Sequence, residues 1–291
     1  MKSPLFTGVC TAMVTPFLNT KINYPMLDIL LQRQIDAGIK AVVLCGTTGE
    51  GATLTDAEKL EIIRRSKAYC GDRLCIIAGT GTNSTSHTIT LSKAAEDAGA
   101  DALLIVTPYY NKPTPEGIYA HYLTVCHSTQ LPIIVYNVPS RTGVDIPVSL
   151  YQRLSRLPRV IGAKEATSDI RKLASLRAAC PQPFGIWTGC DDMIAPSMAV
   201  GADGVISVIS NIYPQQAIQM TDAALHKDYA NAFSIQLRLL SLTDALFSET
   251  NPIPAKAAMQ LLGYDCGNCR LPLTPAKDET IAQLEKALIN T

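Results

Sequence analysis

The sequence predicts an α/β fold, a (β/α)8 TIM barrel with a C-terminal helical extension. Three similar segments run from the end of a helix into a short apolar strand: Asp36–Leu44, Asp97–Ile105 and Ala199–Ser207. The third residue of each is a glycine, placed where a helix C-terminus needs a left-handed residue. The apolar tetrad that follows is typical of a strand buried on both faces. This recurrence indicates repeated βα units.

Apolar runs occur eight times before residue 208, separated by about 20 to 35 residues, which is the spacing of βα units. Eight units predict a closed barrel. The candidate strands are Gly8–Met13, 41–44, Cys75–Ala78, 102–105, Ile133–Tyr136, Val160–Ala163, Gly185–Thr188 and 204–207.

Helix signals lie between these strands. Leu27, Leu30, Leu31 and Ile35 form an apolar stripe at helical spacing. Thr55–Glu58 has the pattern of a capping box. Thr114-Pro115 and Thr274-Pro275 resemble an N-cap followed by a proline at the first helical position.

No strand signal follows the eighth run, and the rest of the chain has helical periodicity. The predicted helices there are Asp228–Phe247, Pro254–Leu262 and Pro275–Ile289. No low-complexity linker separates them from the barrel. We therefore expect a catalytic barrel over residues 1–225 and a C-terminal helical domain over residues 226–291 packed on it.

Composition limits the classes of function. Hydrophobic residues make up 47% of the 291 residues and charged residues 17%, which excludes intrinsic disorder. Lys+Arg and Asp+Glu balance at 25 each, so no nucleic-acid groove or membrane-binding surface is indicated. The sequence shows neither a membrane span nor a signal peptide, and we expect a cytoplasmic protein acting on small molecules.

Cysteine usage supports a reducing compartment. The nine cysteines are an odd number scattered through apolar runs, as expected for reduced core thiols. Cys266 and Cys269 form the only CxxC pair. A zinc site would need two further ligands at recognisable spacing, so we interpret them as two loop thiols.

Lys164 stands directly after the apolar run Val160–Ala163, at the end of the predicted sixth strand. In a parallel barrel the reactive groups gather at the C-terminal ends of the strands. Burial there disfavours the charged form of an amine, and a neutral lysine amine can form a Schiff base with a carbonyl. The alternative is a surface lysine paired with its neighbour Glu165.

Other strand ends carry hydroxyl groups and one arginine, which favour the reactive amine. Tyr136 lies one strand from Lys164, and its phenol can exchange a proton during Schiff-base formation if Thr47 or Thr48 relays it. The planar fork of Arg141 matches a carboxylate. Singly, each also has an ordinary structural explanation: a packed tyrosine, turn-capping threonines and a solvated loop arginine.

The remaining motifs carry less information. Gly189 and Ile206, after strands seven and eight, suit the wall of a compact pocket. Tyr109-Tyr110 fits packing or a subunit contact as well as chemistry.

None of the four histidines falls at a strand end, so no metal or triad role is assigned and a surface position is expected. Gly79–Ser84 only weakly matches a dinucleotide fingerprint and lies on the wrong strand for one.

With these residues assembled, nearly the whole chain resembles the 4-hydroxy-tetrahydrodipicolinate synthases, also called dihydrodipicolinate synthases, of the pyruvate-dependent class I aldolase superfamily. The resemblance implies the barrel and C-terminal helices described above, and no metal or organic cofactor. It is carried by four motifs: Gly46–Glu50, Thr107–Asn111, Tyr136–Gly143 and Gly162–Thr167.

The resemblance also implies roles for matching residues. Lys164 corresponds to the lysine that forms an imine with pyruvate, and Tyr136, Thr47 and Tyr110 to the proton-relay triad, with Tyr110 entering the neighbouring subunit's site. Thr48 corresponds to the pyruvate-carboxylate ligand. Arg141 corresponds to the residue that receives the carboxylate of L-aspartate 4-semialdehyde. The family is typically a homotetramer, a dimer of dimers.

The implied reaction condenses pyruvate with L-aspartate 4-semialdehyde to 4-hydroxy-tetrahydrodipicolinate, in lysine and diaminopimelate biosynthesis. One alternative is a related pyruvate-dependent sugar-acid aldolase or lyase, which shares the lysine but lacks Arg141. The other is a barrel that binds a keto acid without turnover, which needs no proton relay. This sequence has both Arg141 and the proton-relay residues, and both favour the synthase.

The regulatory site of lysine-inhibited relatives is altered here. Asn83 and Tyr109 remain, whereas Asp56, Lys59 and His87 replace residues that include the glutamate expected to pair with the lysine ammonium. Lys59 adds like charge to the site. The sequence therefore predicts weak or absent inhibition by lysine.

Overall fold

In the computed structural model, which describes residues 4–289, eight parallel strands form a closed barrel. Closure follows because β1 pairs with both β10 and β4. The predicted barrel is confirmed. Its strands are β1 Gly8–Ala12, β4 Ala41–Leu44, β5 Cys75–Gly79, β6 Ala102–Val106, β7 Ile133–Asn137, β8 Val160–Glu165, β9 Gly185–Thr188 and β10 Gly204–Ser207, with a separate hairpin of β2 Phe17–Leu18 and β3 Lys21–Ile22.

Helices surround the barrel and continue beyond its last strand. Two short 3₁₀ helices, Asp191–Met193 and Ile209–Asn211, follow β9 and β10. The α-helices are α1 Tyr24–Ala37, α2 Asp56–Cys70, α3 Thr85–Asp97, α4 Pro115–Cys126, α5 Pro139–Thr142, α6 Val148–Leu154, α7 Ile170–Ala179, α8 Ile194–Ala199, α9 Pro214–Leu225, α10 Tyr229–Leu246, α11 Ile253–Leu261 and α12 Asp278–Ile289.

Most helix-end signals act as the sequence predicts. Thr55 and Glu58 form both bonds of a capping box at α2. Thr114 caps α4 with Pro115 at the first position. The prediction for Thr274-Pro275 is wrong, because α12 begins only at Asp278. The preceding segment is instead tied down where the backbone N–H of Lys277 donates to Glu249 Oε1 at 3.0 Å.

Two apolar layers lie on either side of the strands. The larger packs the outer faces of the strands against the helices, and the smaller fills the barrel interior. Inside, the rings of Phe6 and Trp187 stack with centroids 4.6 Å apart. Because the interior is filled, polar chemistry is confined to the C-terminal mouth of the barrel. Within residues 4–289, no helix has the length and apolar character of a membrane span.

Candidate functional site

Lys164 is buried near the end of β8, with 6% of its surface exposed. It is the register partner of Tyr136 on β7, and its Nζ lies 4.5 Å from the centroid of the Tyr136 ring. Gly189 packs directly on the lysine stem, because a Cβ added there would lie 2.8 Å from Lys164 Cε. The amine is therefore held inside the barrel mouth against a phenol.

Glu165 does not pair with its neighbour Lys164. Successive residues of a strand point to opposite faces, and the Glu165 carboxylate accepts bonds from Tyr151 Oη at 2.7 Å and Asn137 Nδ2 at 2.9 Å. Lys172 Nζ lies 3.2 Å from it. Burial raises the pKa of Glu165, and these donors oppose the shift. The network fixes the outer face of the strand end that carries Lys164.

The loop after β4 turns back on itself to place two threonines at the mouth. Cys45 and Glu50 have positive φ angles of 57° and 55°, which L-residues rarely adopt. A Cβ at Gly51 would lie 2.1 Å from the carbonyl oxygen of Cys45, so only glycine fits the turn. Thr47 lines the central cavity, and Thr48 beside it is buried.

Asn251, from the segment between α10 and α11, completes this corner of the site. Its Nδ2 donates to Thr48 Oγ1 at 2.9 Å, and its backbone carbonyl accepts from Arg141 Nη2 at 3.2 Å. Its Oδ1 is buried without a partner among residues 4–289. No sequence motif marked Asn251, because its partners lie more than a hundred residues away in the chain.

A buried ion pair joins the same loop to the C-terminal helices. Lys256 Nζ on α11 donates to Glu50 Oε1 at 2.7 Å, and the backbone N–H of Arg270 donates to Glu50 Oε2 at 2.8 Å. Arg270 Nη1 also donates to Glu58 Oε2 at 2.8 Å. The Arg270 guanidinium lowers the pKa of Glu58 to about 2. The C-terminal segment thus anchors the loop after β4 and helix α2.

A cavity of about 550 Å³ opens over this region. Its wall includes Thr47, Tyr136 and Arg141, three of the predicted site residues. Lys164 and Ile206 are not part of the wall; Lys164 is packed against Tyr136, and Ile206 is buried in the interior cluster that contains Tyr136. The buried amine therefore lies against the Tyr136 ring, which itself lines the cavity.

The residues of the predicted regulatory site also line this cavity. Asn83, Tyr109, Asp56, Lys59 and His87 all line it. His87 Nε2 lies 2.7 Å from Asp56 Oδ2, and Lys59 Nζ lies 3.8 Å from Asp56 Oδ1. The Asp56 carboxylate is thus flanked by two groups of the protein itself.

Tyr110 is the one predicted relay residue that the chain does not bring to its own cavity. Its side chain is 87% exposed, and its φ of 72° is unusual for a residue with a bulky side chain. Strained backbone of this kind concentrates at functional sites. Its neighbour Tyr109 lines the cavity.

The expectation that all histidines lie at the surface is wrong for His121. This residue is buried on α4, and its Nδ1 lies 2.9 Å from Thr85 Oγ1. Burial lowers the pKa of His121 to about 4. Among residues 4–289, no group of three His, Cys, Asp or Glu side chains is arranged to hold a metal ion, and all nine cysteines are free thiols.

Comparison with known proteins identifies the family. The model of the "Dihydrodipicolinate synthetase family" matches residues 5–291. A 4-hydroxy-tetrahydrodipicolinate synthase from Fervidobacterium nodosum is 47% identical over 285 residues, covering 98% of each chain. A dihydrodipicolinate synthase from Acinetobacter baumannii, solved as a complex with pyruvate, is 40% identical with a TM-score of 0.96 and covers 98% of both chains. The dihydrodipicolinate synthase of Thermotoga maritima is 39% identical, with a TM-score of 0.95 and the same coverage. The chain belongs to the dihydrodipicolinate synthetase family.

Proposed function

We propose that this chain is a lyase that condenses pyruvate with L-aspartate 4-semialdehyde to 4-hydroxy-tetrahydrodipicolinate, in lysine and diaminopimelate biosynthesis. The observation that carries the proposal is the buried Lys164 amine, packed on the Tyr136 ring, which lines a cavity together with Thr47 and Arg141. The named relatives, 41–47% identical over nearly the whole chain, point to the same reaction. No feature favours a sugar-acid aldolase or a non-catalytic barrel.

The reaction begins on Lys164. Its neutral amine attacks C2 of pyruvate, and loss of water from the carbinolamine gives an imine. Removal of a methyl proton forms an enamine, whose carbon attacks the aldehyde of the second substrate. The amino group of that substrate then displaces Lys164 by closing the ring. Tyr136 and Thr47, which both line the cavity, move the protons of these steps.

The hydrogen bonds of Thr48 and Arg141 leave both side chains with donors for a substrate carboxylate. Thr48 Oγ1 already accepts a bond from Asn251, so its own O–H is available to donate to the pyruvate carboxylate. Arg141 is held at the cavity wall by the Asn251 carbonyl, and its remaining N–H groups can bind the carboxylate of aspartate semialdehyde. Gly189 keeps space free beside Lys164 Cε, and Ile206 supplies an apolar surface.

The same proposal includes a homotetramer in the cytoplasm, built as a dimer of dimers. Two different self-complementary faces are needed for such an assembly. The exposed Tyr110 supports one face, on which it would reach the neighbouring subunit's site. The exposed Phe233 and Leu237, one turn apart on α10, support the other. Free thiols fit a reducing compartment.

Borohydride reduction in the presence of pyruvate tests the proposal. Reduction of the imine should add one pyruvyl unit to Lys164 and abolish activity. Peptide mass analysis should locate the added mass on Lys164. Lys164→Arg should lose both the adduct and the activity, whereas the control Lys40→Arg, at an exposed lysine, should retain both. Folded protein that gives no adduct would discard the mechanism.

A coupled assay separates the possible aldehyde substrates. Aspartate semialdehyde should be consumed together with pyruvate, and sugar aldehydes should not. Exclusive turnover of sugar aldehydes would overturn the substrate assignment while leaving the Lys164 imine intact.

A further inference from the structure

Asp191 is a buried carboxyl group that the reaction described above does not use. It lies in the 3₁₀ helix after β9 and has 2% of its surface exposed. Its Oδ2 accepts the backbone N–H groups of Val208 at 2.8 Å and Ile209 at 2.9 Å. Its Oδ1 is also fully buried, yet it has no hydrogen-bond partner within residues 4–289.

This carboxyl belongs to the loop that packs on the reactive lysine. Two residues earlier in the same loop, Gly189 lies against Lys164 Cε. Burial raises the pKa of Asp191, while the two backbone donors, the Ser207 hydroxyl and the charge of Lys164 all act to lower it. The short loop that carries both Gly189 and Asp191 therefore keeps the Asp191 carboxyl in the same part of the barrel mouth as Lys164.

A purely structural role does not account for a carboxylate at this position. Capping the two N–H groups needs one acceptor oxygen, which an asparagine would also supply. Burying a charge is costly unless an opposite charge compensates it. Leaving its second oxygen without a partner adds a further cost. These costs are explained if a cation forms nearby during turnover.

We propose that Asp191 is a positioning residue whose carboxylate stabilises the positively charged imine on Lys164. The inference rests on the proposed function. Pyruvate C2 forms its bond to Nζ, and the carbonyl oxygen leaves as water with one proton from the amine and one delivered by the Tyr136 and Thr47 relay, so the nitrogen keeps one proton and the positive charge. Asp191 exchanges no atom with the substrate. Its negative charge stabilises this cation, and the cation in turn acidifies the methyl group that must lose a proton.

The neighbouring groups do not replace the charge of Asp191. Cys10 on β1 and Cys190 beside Asp191 have pKa values raised by burial, that of Cys190 to about 12, so both stay neutral near physiological pH. From α10, the uncharged Gln236 donates to the backbone carbonyl of Asp191. Tyr136 contacts Lys164 from β7. The nearest carboxylate on the other face of β8, Glu165, is engaged by Lys172.

Asp191→Asn removes the charge and keeps an oxygen for the two N–H groups. The imine fraction trapped by borohydride at saturating pyruvate and kcat should both fall by about tenfold or more. Asp192→Asn, which removes the same charge from the adjacent exposed carboxylate, should change neither.

The outcomes distinguish this inference from the proposed function. If wild-type protein traps pyruvate and Asp191→Asn matches it in trapped fraction and kcat, with at most a lower Tm, Asp191 is only a cap and the inference fails. If wild-type protein traps nothing, the proposed function fails. Should Asp191→Asn not fold, Ser207→Ala replaces it, because loss of that donor weakens the ionised carboxyl. A smaller fall in trapped fraction and kcat is then expected, and no fall overturns the inference.

Discussion

Three lysines are buried in the part of the chain covering residues 4–289, and their partners differ. Lys256 lies 2.7 Å from Glu50, and Lys59 lies 3.8 Å from Asp56. Lys164 faces the Tyr136 ring, with no carboxylate within 4 Å among those residues. A buried amine with a carboxylate partner is held as a cation. Lys164, which lacks one at that distance, is the amine best placed to act as a nucleophile.

Replacing each of two lysines by methionine should separate stability from activity. Lys256→Met leaves the Glu50 carboxylate buried without its cation, and this should lower the free energy of unfolding by about 3–5 kcal/mol. Lys164→Met should abolish turnover and cost much less stability than Lys256→Met, because no carboxylate within residues 4–289 lies within 4 Å of the Lys164 amine. Denaturant unfolding and the coupled assay measure the two effects. A large loss of stability in Lys164→Met would contradict this division of roles.

The regulatory residues predict how the enzyme responds to lysine. The Asp56 carboxylate is already flanked by His87 and Lys59, so a lysine ammonium in this part of the cavity would meet the like charge of Lys59. Inhibition by lysine is expected to be weak or absent, and Lys59→Glu should strengthen it by exchanging a cation for an anion. Half-loss of wild-type activity at micromolar lysine would refute this prediction.

At the scale of elements, the Glu58–Arg270 pair fastens the C-terminal segment to α2. Arg270 lowers the pKa of Glu58 to about 2, below its ordinary value near 4.3, so folding favours the ionised carboxylate. Its stabilising contribution is complete above about pH 4.5 and is lost as the pH falls toward 2. Glu58→Gln should therefore cost about 1 kcal/mol at pH 7 and progressively less in acid.

Thermal unfolding from pH 7 to pH 3 tests this linkage. Glu116→Gln is the matched control, because Glu116 is an exposed carboxylate paired with Arg153 and has no contact with the C-terminal segment among its described bonds. It should cost less than Glu58→Gln at pH 7. A difference between Glu58→Gln and wild-type protein that does not shrink in acid would show that the pair contributes no linked stability.

Local sequence patterns predicted the elements well, for physical reasons. The eight strands are continuous apolar runs, and Gly38, Gly99 and Gly201 have φ angles of 90°, 96° and 106°, as helix ends require. The hairpin of β2 and β3 escaped prediction, because each strand has only two residues. The helix start predicted at Thr274-Pro275 is wrong because the segment before α12 is held by a hydrogen bond from the Lys277 backbone to Glu249, which lies outside the segment.

The site residues also divide into those that a local sequence pattern predicts and those that it does not. Lys164 and Tyr136 could be predicted because a strand end fixes their position in the barrel. Asn251, Lys256 and Asp191 could not, since their roles depend on partners distant in sequence or on burial, as with the 206 residues that separate Lys256 from Glu50. Whether the chain divides functionally at residue 225 remains a prediction, although the C-terminal helices hold the active-site loop.

At the scale of the whole molecule, the proposed site needs two chains. Thr47 and Tyr136 line the cavity of their own chain, whereas the strained Tyr110 projects outward. Burying Tyr110 in a neighbour would remove an exposed aromatic side chain from water and complete the relay. If so, a defect in Tyr110 damages the partner's site, whereas a defect in Lys164 damages the subunit's own.

Mixing two inactive variants should therefore restore activity. In a hybrid of Tyr110→Phe and Lys164→Ala subunits, the site of the first keeps its lysine and receives an intact Tyr110 from the second. Random pairing of equal amounts makes about half of the dimers hybrid, each with one complete site of two, so about one quarter of wild-type activity should return. Subunits must be exchanged by unfolding and refolding together, with each variant refolded alone as the control. If Tyr110 acted within its own chain, no hybrid site would be complete and the mixture would stay as inactive as its parts.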